Sequence, residues 1–110
     1  MTLLPLPAFT DNYIWLLHDG RSALVVDPGT AEPVNAALER LGLRLEAILV
    51  THHHPDHVGG LADLLARHAS VTVVGPAREL PQLQMQRVHG GQTLRALGLD
   101  FEVIDVPGHT

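Results

Sequence analysis

Cysteine is missing from all 110 residues, which excludes a disulfide framework, a thiolate metal site and a cysteine nucleophile. Any metal chemistry is left to imidazoles and carboxylates. Basic residues are few: Lys and Arg total 7 against 12 Asp and Glu, a formal net charge of -5. Polyanion binding relies on clustered positive charge, so no nucleic-acid partner is expected. No apolar run approaches the length needed to span a bilayer, and Met1-Thr2-Leu3-Leu4-Pro5-Leu6-Pro7 has neither a basic segment nor a long apolar one. The expectation is a cytoplasmic chain without membrane association. Internal repeats, low-complexity tracts and linkers are also lacking, and 45% hydrophobic residues suffice for one small core.

What the chain does have is concentrated in Thr51 to Gly60, T-H-H-H-P-D-H-V-G-G. In extended backbone, successive side chains point to opposite faces, so His52 and His54 project together while His53 projects away. Pro55 biases His54 out of the helical region, and Asp56 and His57 follow as a carboxylate and a further imidazole. Borderline divalent ions such as zinc accept this mixture of neutral imidazole and carboxylate oxygen. A solvated loop or a purification tag is the bland alternative. A tag would sit at a terminus, whereas this run follows the apolar Ala47-Ile48-Leu49-Val50 and precedes a helical pattern.

Leu3 to Ala8, Asn12 to Leu17 and Ala23 to Val26 read as three strands of a meander, and Pro5 and Pro7 place the first at an edge. Asp27-Pro28-Gly29 ends the third. Thr30 is expected to cap a helix over Ala31 to Leu41, with Val34, Ala37, Leu38 and Leu41 as its apolar stripe and Gly42 as its stop. Asp27 is equally well a turn former or a carboxylate that orients a metal-bound imidazole from behind. Glu46 to Thr51 is the next strand, followed by a helix from about Gly59 to His68 and a strand at Val71 to Val74. Pro76 to Gln86 reads as a short helix or loop, His89-Gly90-Gly91 as a turn, and Gln92 to Leu94 with Leu99 to Val106 as strands.

Of the remaining histidines, His18 and His89 read as turn residues, and His68 as an imidazolium favourably placed at the end of a helix. His109, in Pro107-Gly108-His109-Thr110, follows a strand as His52 and His54 do. It can converge with them into a three-histidine set that leaves a fourth position open.

Thr51-His52-His53-His54-Pro55-Asp56-His57 matches the T-H-x-H-x-D-H signature of the metallo-β-lactamase superfamily, and Pro107-Gly108-His109-Thr110 is similar to its next ligand-bearing turn. Thr10-Asp11-Asn12-Tyr13-Ile14-Trp15-Leu16 and Val26-Asp27-Pro28-Gly29 resemble the opening of the glyoxalase II (hydroxyacylglutathione hydrolase) family. The resemblance implies an α/β fold, an αββα sandwich of which residues 1–110 supply about the first half. It further implies that His52, His54 and His109 bind one divalent ion and Asp56 and His57 a second, zinc first with iron or manganese as substitutes. Asp56 would also help orient the attacking hydroxide.

The implied reaction is hydrolysis of S-2-hydroxyacylglutathione, such as S-lactoylglutathione, to glutathione and a 2-hydroxy acid, by a full-length protein that is a cytoplasmic monomer. The family's bridging aspartate, last histidine and glutathione-binding domain would lie beyond Thr110. The chain is therefore expected to be a fragment with an exposed apolar sheet face and little activity. The rival expectations are another hydrolase of the superfamily (a lactonase or different thioesterase), an iron-dependent persulfide dioxygenase, and a non-catalytic metal-binding fragment.

Overall fold

A six-stranded sheet forms the body of the structure, a computed structural model that describes residues 1–8, 12–51, 60–76, 86–88 and 90–102. Its strands lie in chain order: β1 (Thr2–Ala8), β2 (Asn12–His18), β3 (Ser22–Val26), β4 (Arg44–Leu49), β5 (Thr72–Pro76) and β6 (Gln86–Val88). The first three are antiparallel, as the meander reading requires, and β3 to β6 run parallel. Parallel neighbours need crossovers, and two helices supply them: α1 (Glu32–Leu41) between β3 and β4, and α2 (Leu61–Arg67) between β4 and β5. A separate hairpin pairs β7 (Thr93–Ala96) with β8 (Leu99–Glu102).

The meander is set by local chemistry. Pro5 and Pro7 sit in β1, which among the described strands pairs with β2 alone, so their missing N–H groups cost no rung of the sheet interior. At the β2–β3 turn Asp19 Oδ1 accepts from the N–H groups of Arg21 at 2.9 Å and Ser22 at 2.8 Å, and these donors hold its carboxyl below the usual range. His18 is the last residue of β2 and half-buried, rather than an exposed turn residue, and its Nδ1 accepts from Gly20 N–H at 3.1 Å.

Strict alternation puts Leu6, Ile14, Leu16, Val25 and Ile48 on the face that carries both helices, where they meet Val34, Leu38 and Leu64. Burying side chains of this size is the main source of stability, about 1.5–3 kcal/mol each. On the opposite face Leu24, Ala47 and Val74 are buried along with Leu94 of the hairpin. A register shift lets Ala23 pair with Leu45 and Leu24 with Ala47, leaving Glu46 as the extra residue. Glu46 uses that position to accept the Leu97 N–H of the hairpin turn at 2.8 Å. Farther along the same face Leu3, Tyr13 and Trp15 are exposed, as a sheet covered only in part demands.

Several expectations are corrected. Thr30 does not cap α1: the N-cap is Ala31, with no side-chain bond, because Pro33 removes one of the donors a cap would satisfy and Thr30 packs instead against Gly60. Gly42 does end the helix, at φ 66°, but Leu41 faces solvent. His68 is the C-cap of α2, and burial, with the Arg67 charge beside it, lowers its pKa from the ordinary histidine value, which disfavours the imidazolium expected there. The strand expected at Gln92 to Leu94 is β7, shifted to Thr93–Ala96. Residues 77–85, His89 and Val103 to Val106 lie outside the described residues.

Candidate metal centre

The histidine stretch leaves the sheet at the carboxyl end of β4. Val50 N–H still bonds to Val74 O at 2.8 Å, continuing the ladder with β5, and Thr51 is the next residue. In open sheets of parallel strands, ligands bind beyond the carboxyl ends of the strands, which is where Thr51 delivers the chain. His52, His54, Asp56 and His57 lie outside the described residues, as do His109 and the expected bystanders His53 and His89.

Asp27 is described, and its place is specific. It follows β3, the parallel neighbour of β4, and its backbone turns into the left-handed region at φ 51°. Its N–H bonds to Leu49 O at 2.8 Å. Oδ1 accepts the Thr51 N–H at 2.7 Å, and Oδ2 accepts the Thr51 hydroxyl. The carboxylate thus grips the residue immediately before His52. At the far end of the stretch Gly60 N–H bonds to Pro28 O at 2.9 Å. A Cβ on Gly60 would fall 2.4 Å from Thr30 C and 2.5 Å from Ala31 N, so only glycine permits this approach.

These two attachments were not foreseen from the sequence. The one local signal was a glycine at the start of α2, where Ser, Thr, Asp or Asn is preferred, which points to a close backbone approach. Among the described residues no group of three or more His, Cys, Asp or Glu side chains gathers in a way that could hold a metal ion. His18 accepts from Gly20 N–H two residues on, and His68 meets Asn35 of α1. The donors offered by the stretch, imidazoles and one carboxylate with no thiolate anywhere in the chain, fit a borderline divalent ion.

Comparison with known proteins sets this site in a family. The model of the metallo-beta-lactamase superfamily matches residues 8–110, and the chain belongs to that superfamily. Membership implies divalent metal ions. Among curated relatives, the protein named hydroxyacylglutathione hydrolase in Albidiferax ferrireducens is 64% identical over 110 residues, covering 100% of this chain and 43% of its own length. That of Cupriavidus metallidurans is 54% identical, covering 96% of this chain and again 43% of its own length. The chain therefore spans less than half the length of these relatives. Among solved structures, ETHE1 from Myxococcus xanthus superposes with a TM-score of 0.74 at 28% identity, over 93% of this chain and 47% of that one. The BLEG-1 B3 metallo-beta-lactamase shares the fold, with a TM-score of 0.78 at 22% identity over 99% of this chain and 63% of that one.

Proposed function

We propose that residues 1–110 are the N-terminal portion of a metallo-β-lactamase-fold thioester hydrolase that cleaves S-2-hydroxyacylglutathione, with S-lactoylglutathione the substrate to try first. The observation that carries this reading is the 64% identity, across the whole of this chain, to a protein named hydroxyacylglutathione hydrolase.

In this reading His52, His54 and His109 hold one divalent ion and Asp56 and His57 contribute to a second, zinc being the first choice. A bound ion of this kind supplies Lewis acidity, which makes hydroxide available near neutral pH and polarises a carbonyl. The imidazoles serve as neutral nitrogen donors, and Asp56 adds a carboxylate that orients the attacking water. Asp27 and Thr51 hold the approach to His52. The thiolate of glutathione is a competent leaving group without strong acid assistance, because a thiol's pKa is modest, so no further general acid is required of the chain. The full-length protein would act as a cytoplasmic monomer.

The test is a substrate panel on a full-length version and on the 110-residue chain at equal metal loading. S-lactoylglutathione turned over by the full-length protein, with little turnover by the short chain, is the expected result. Preference for a lactone, another thioester or a persulfide would overturn the substrate assignment. Equal kcat/KM for both chains would show that no further ligand or substrate surface is needed. Inactivity of both, with metal bound, would leave a non-catalytic metal-binding module.

A further inference from the structure

We propose that the β7–β8 hairpin is a strap across the open face of the sheet, latched by the carboxylate of Glu46, and that it lifts as a unit while the six strands stay folded. The inference uses described residues alone and is independent of the metal-site reading.

The latch begins as a fault in a ladder. Ala23 pairs with Leu45 and Leu24 with Ala47, so Glu46 has no partner in β3. An extra residue of this kind bends the strand and re-aims its side chain. Glu46 Oε2 accepts the Leu97 N–H at 2.8 Å, while Arg44 Nη2 stands 3.7 Å from the other oxygen. Leu97 opens the two-residue turn between β7 and β8, and both turn residues take positive φ, 54° at Leu97 and 73° at Gly98. The first residue of such a turn has an N–H that the hairpin's own ladder does not use, and positive φ is costly for leucine. Glu46 gives that N–H an acceptor and holds the strained residue in place.

Little else fastens the hairpin to the sheet. β7 and β8 form a sheet of their own among the described residues, and Leu94 is the one buried side chain of residues 93–102. Between the hairpin and the strands beneath it lies a cleft of about 230 Å³, bordered by Glu46, Ala47, Val74 and Leu94. Atoms facing a cleft forfeit the contacts that close packing supplies, so seating the hairpin gains less than burying an equal area of core. Inside the hairpin the hold is better. Its pairing runs without a break from Thr93 and Glu102 to Ala96 and Leu99, and Arg95 bonds both Asp100 at 3.0 Å and Gly98 O at 3.2 Å.

A region with few buried contacts opens more readily than the whole fold, and one tied within itself opens as one piece. Lifting the strap uncovers Ala47 and Val74. From Ala47 the register continues through Leu24 and Leu17 to the exposed Leu3, so the strap sets how far that apolar row extends across the open face.

The experiment is amide exchange on the 110-residue chain over a series of urea concentrations below unfolding. Amides of Thr93–Glu102 should exchange sooner than those of β2 to β5, at rates that urea barely changes, because lifting the hairpin exposes little surface. Glu46→Ala should speed hairpin exchange about tenfold or more, the scale of losing a bond to a charged acceptor, and leave the sheet unchanged. Glu46→Gln keeps an oxygen acceptor and should return most of the protection. Glu39→Ala, which removes a carboxylate paired with Arg67 on the helical side, should change neither.

Hairpin amides that exchange together with β2 to β5, with the same dependence on urea, overturn the independent strap. Wild-type hairpin rates in Glu46→Ala overturn the latch, and so does an equal acceleration in hairpin and sheet, which would make Glu46 a general support of the fold. Glu46→Gln as fast as Glu46→Ala overturns the accepted hydrogen bond as the means of holding. A hairpin unprotected in the wild type is not seated in solution and overturns the proposal as a whole.

Discussion

His68 Nε2 lies 2.9 Å from Asn35 Oδ1, so the C-cap of α2 is tied to the body of α1 over the helical face of the sheet. Arg67 beside it pairs with Glu39 of α1, a contact exposed enough to contribute little by itself. Burial lowers the His68 pKa, and the Arg67 charge lowers it further. Below pH 6.5 the unfolded chain therefore binds more protons at this position than the folded one, and stability falls as pH drops towards the folded pKa. Replacing His68 by Gln should remove that part of the slope. Urea unfolding at a series of pH values from neutral downwards checks this, and identical slopes in the two proteins would clear His68 as the source.

Gly60→Ala should destabilise the chain by about 1–3 kcal/mol, the usual cost of forcing atoms into filled space. The penalty is steric alone, because Gly60 has φ -91°, which alanine adopts freely. Chemical denaturation compares it with Gly42→Ala, where no atom lies near the added Cβ and the penalty comes from φ 66°. A Gly60→Ala protein as stable as wild type would mean that the loop at Thr30 yields.

Ile48→Ala should cost about 2–5 kcal/mol, since the side chain is fully buried between the sheet and both helices. Leu3→Ala, at a position 58% exposed, should stay within about 0.5 kcal/mol. Equilibrium unfolding midpoints decide, and similar losses at both positions would contradict the core as described.

Zinc at a hundredfold excess over its dissociation constant should stabilise the fold by about 2.7 kcal/mol, which for a domain of this size raises Tm by roughly 10 °C. The rise should disappear with a chelator and in a His52→Ala, His54→Ala double variant, and survive in His53→Ala. Calorimetry with and without zinc is the measurement. Loss of the shift in His53→Ala would reverse the alternation from which the ligands were assigned.

Much of the framework was legible because it is written in local pattern. Alternation marked β1 to β3, two prolines marked the edge, and Gly42 marked the end of α1. The apolar run before the histidines marked β4 and placed the stretch at a strand end. What local pattern does not carry is contact between distant segments. Asp27 and Thr51 are 24 residues apart, and nothing in either neighbourhood announces that one side chain completes the other's ladder. The extra residue at Glu46 was invisible for the same reason, since its partner is the Leu97 N–H some 51 positions later. Thr30 looked like a cap because capping preference is local, while its actual neighbour, Gly60, is not. For His68, helix position suggested a charge, while burial and the neighbouring Arg67 disfavour one.

The two prolines of β1 bear on how copies of this chain behave when crowded together. Residues two apart in a strand direct their backbone nitrogens the same way, and the β1–β2 register runs unbroken through Pro5 opposite Trp15 and Pro7 opposite Tyr13. The missing donors therefore belong to the side turned away from β2. An incoming strand at that border would meet two successive positions unable to offer a proton, which denies it the regular template from which intermolecular sheets and fibrils grow.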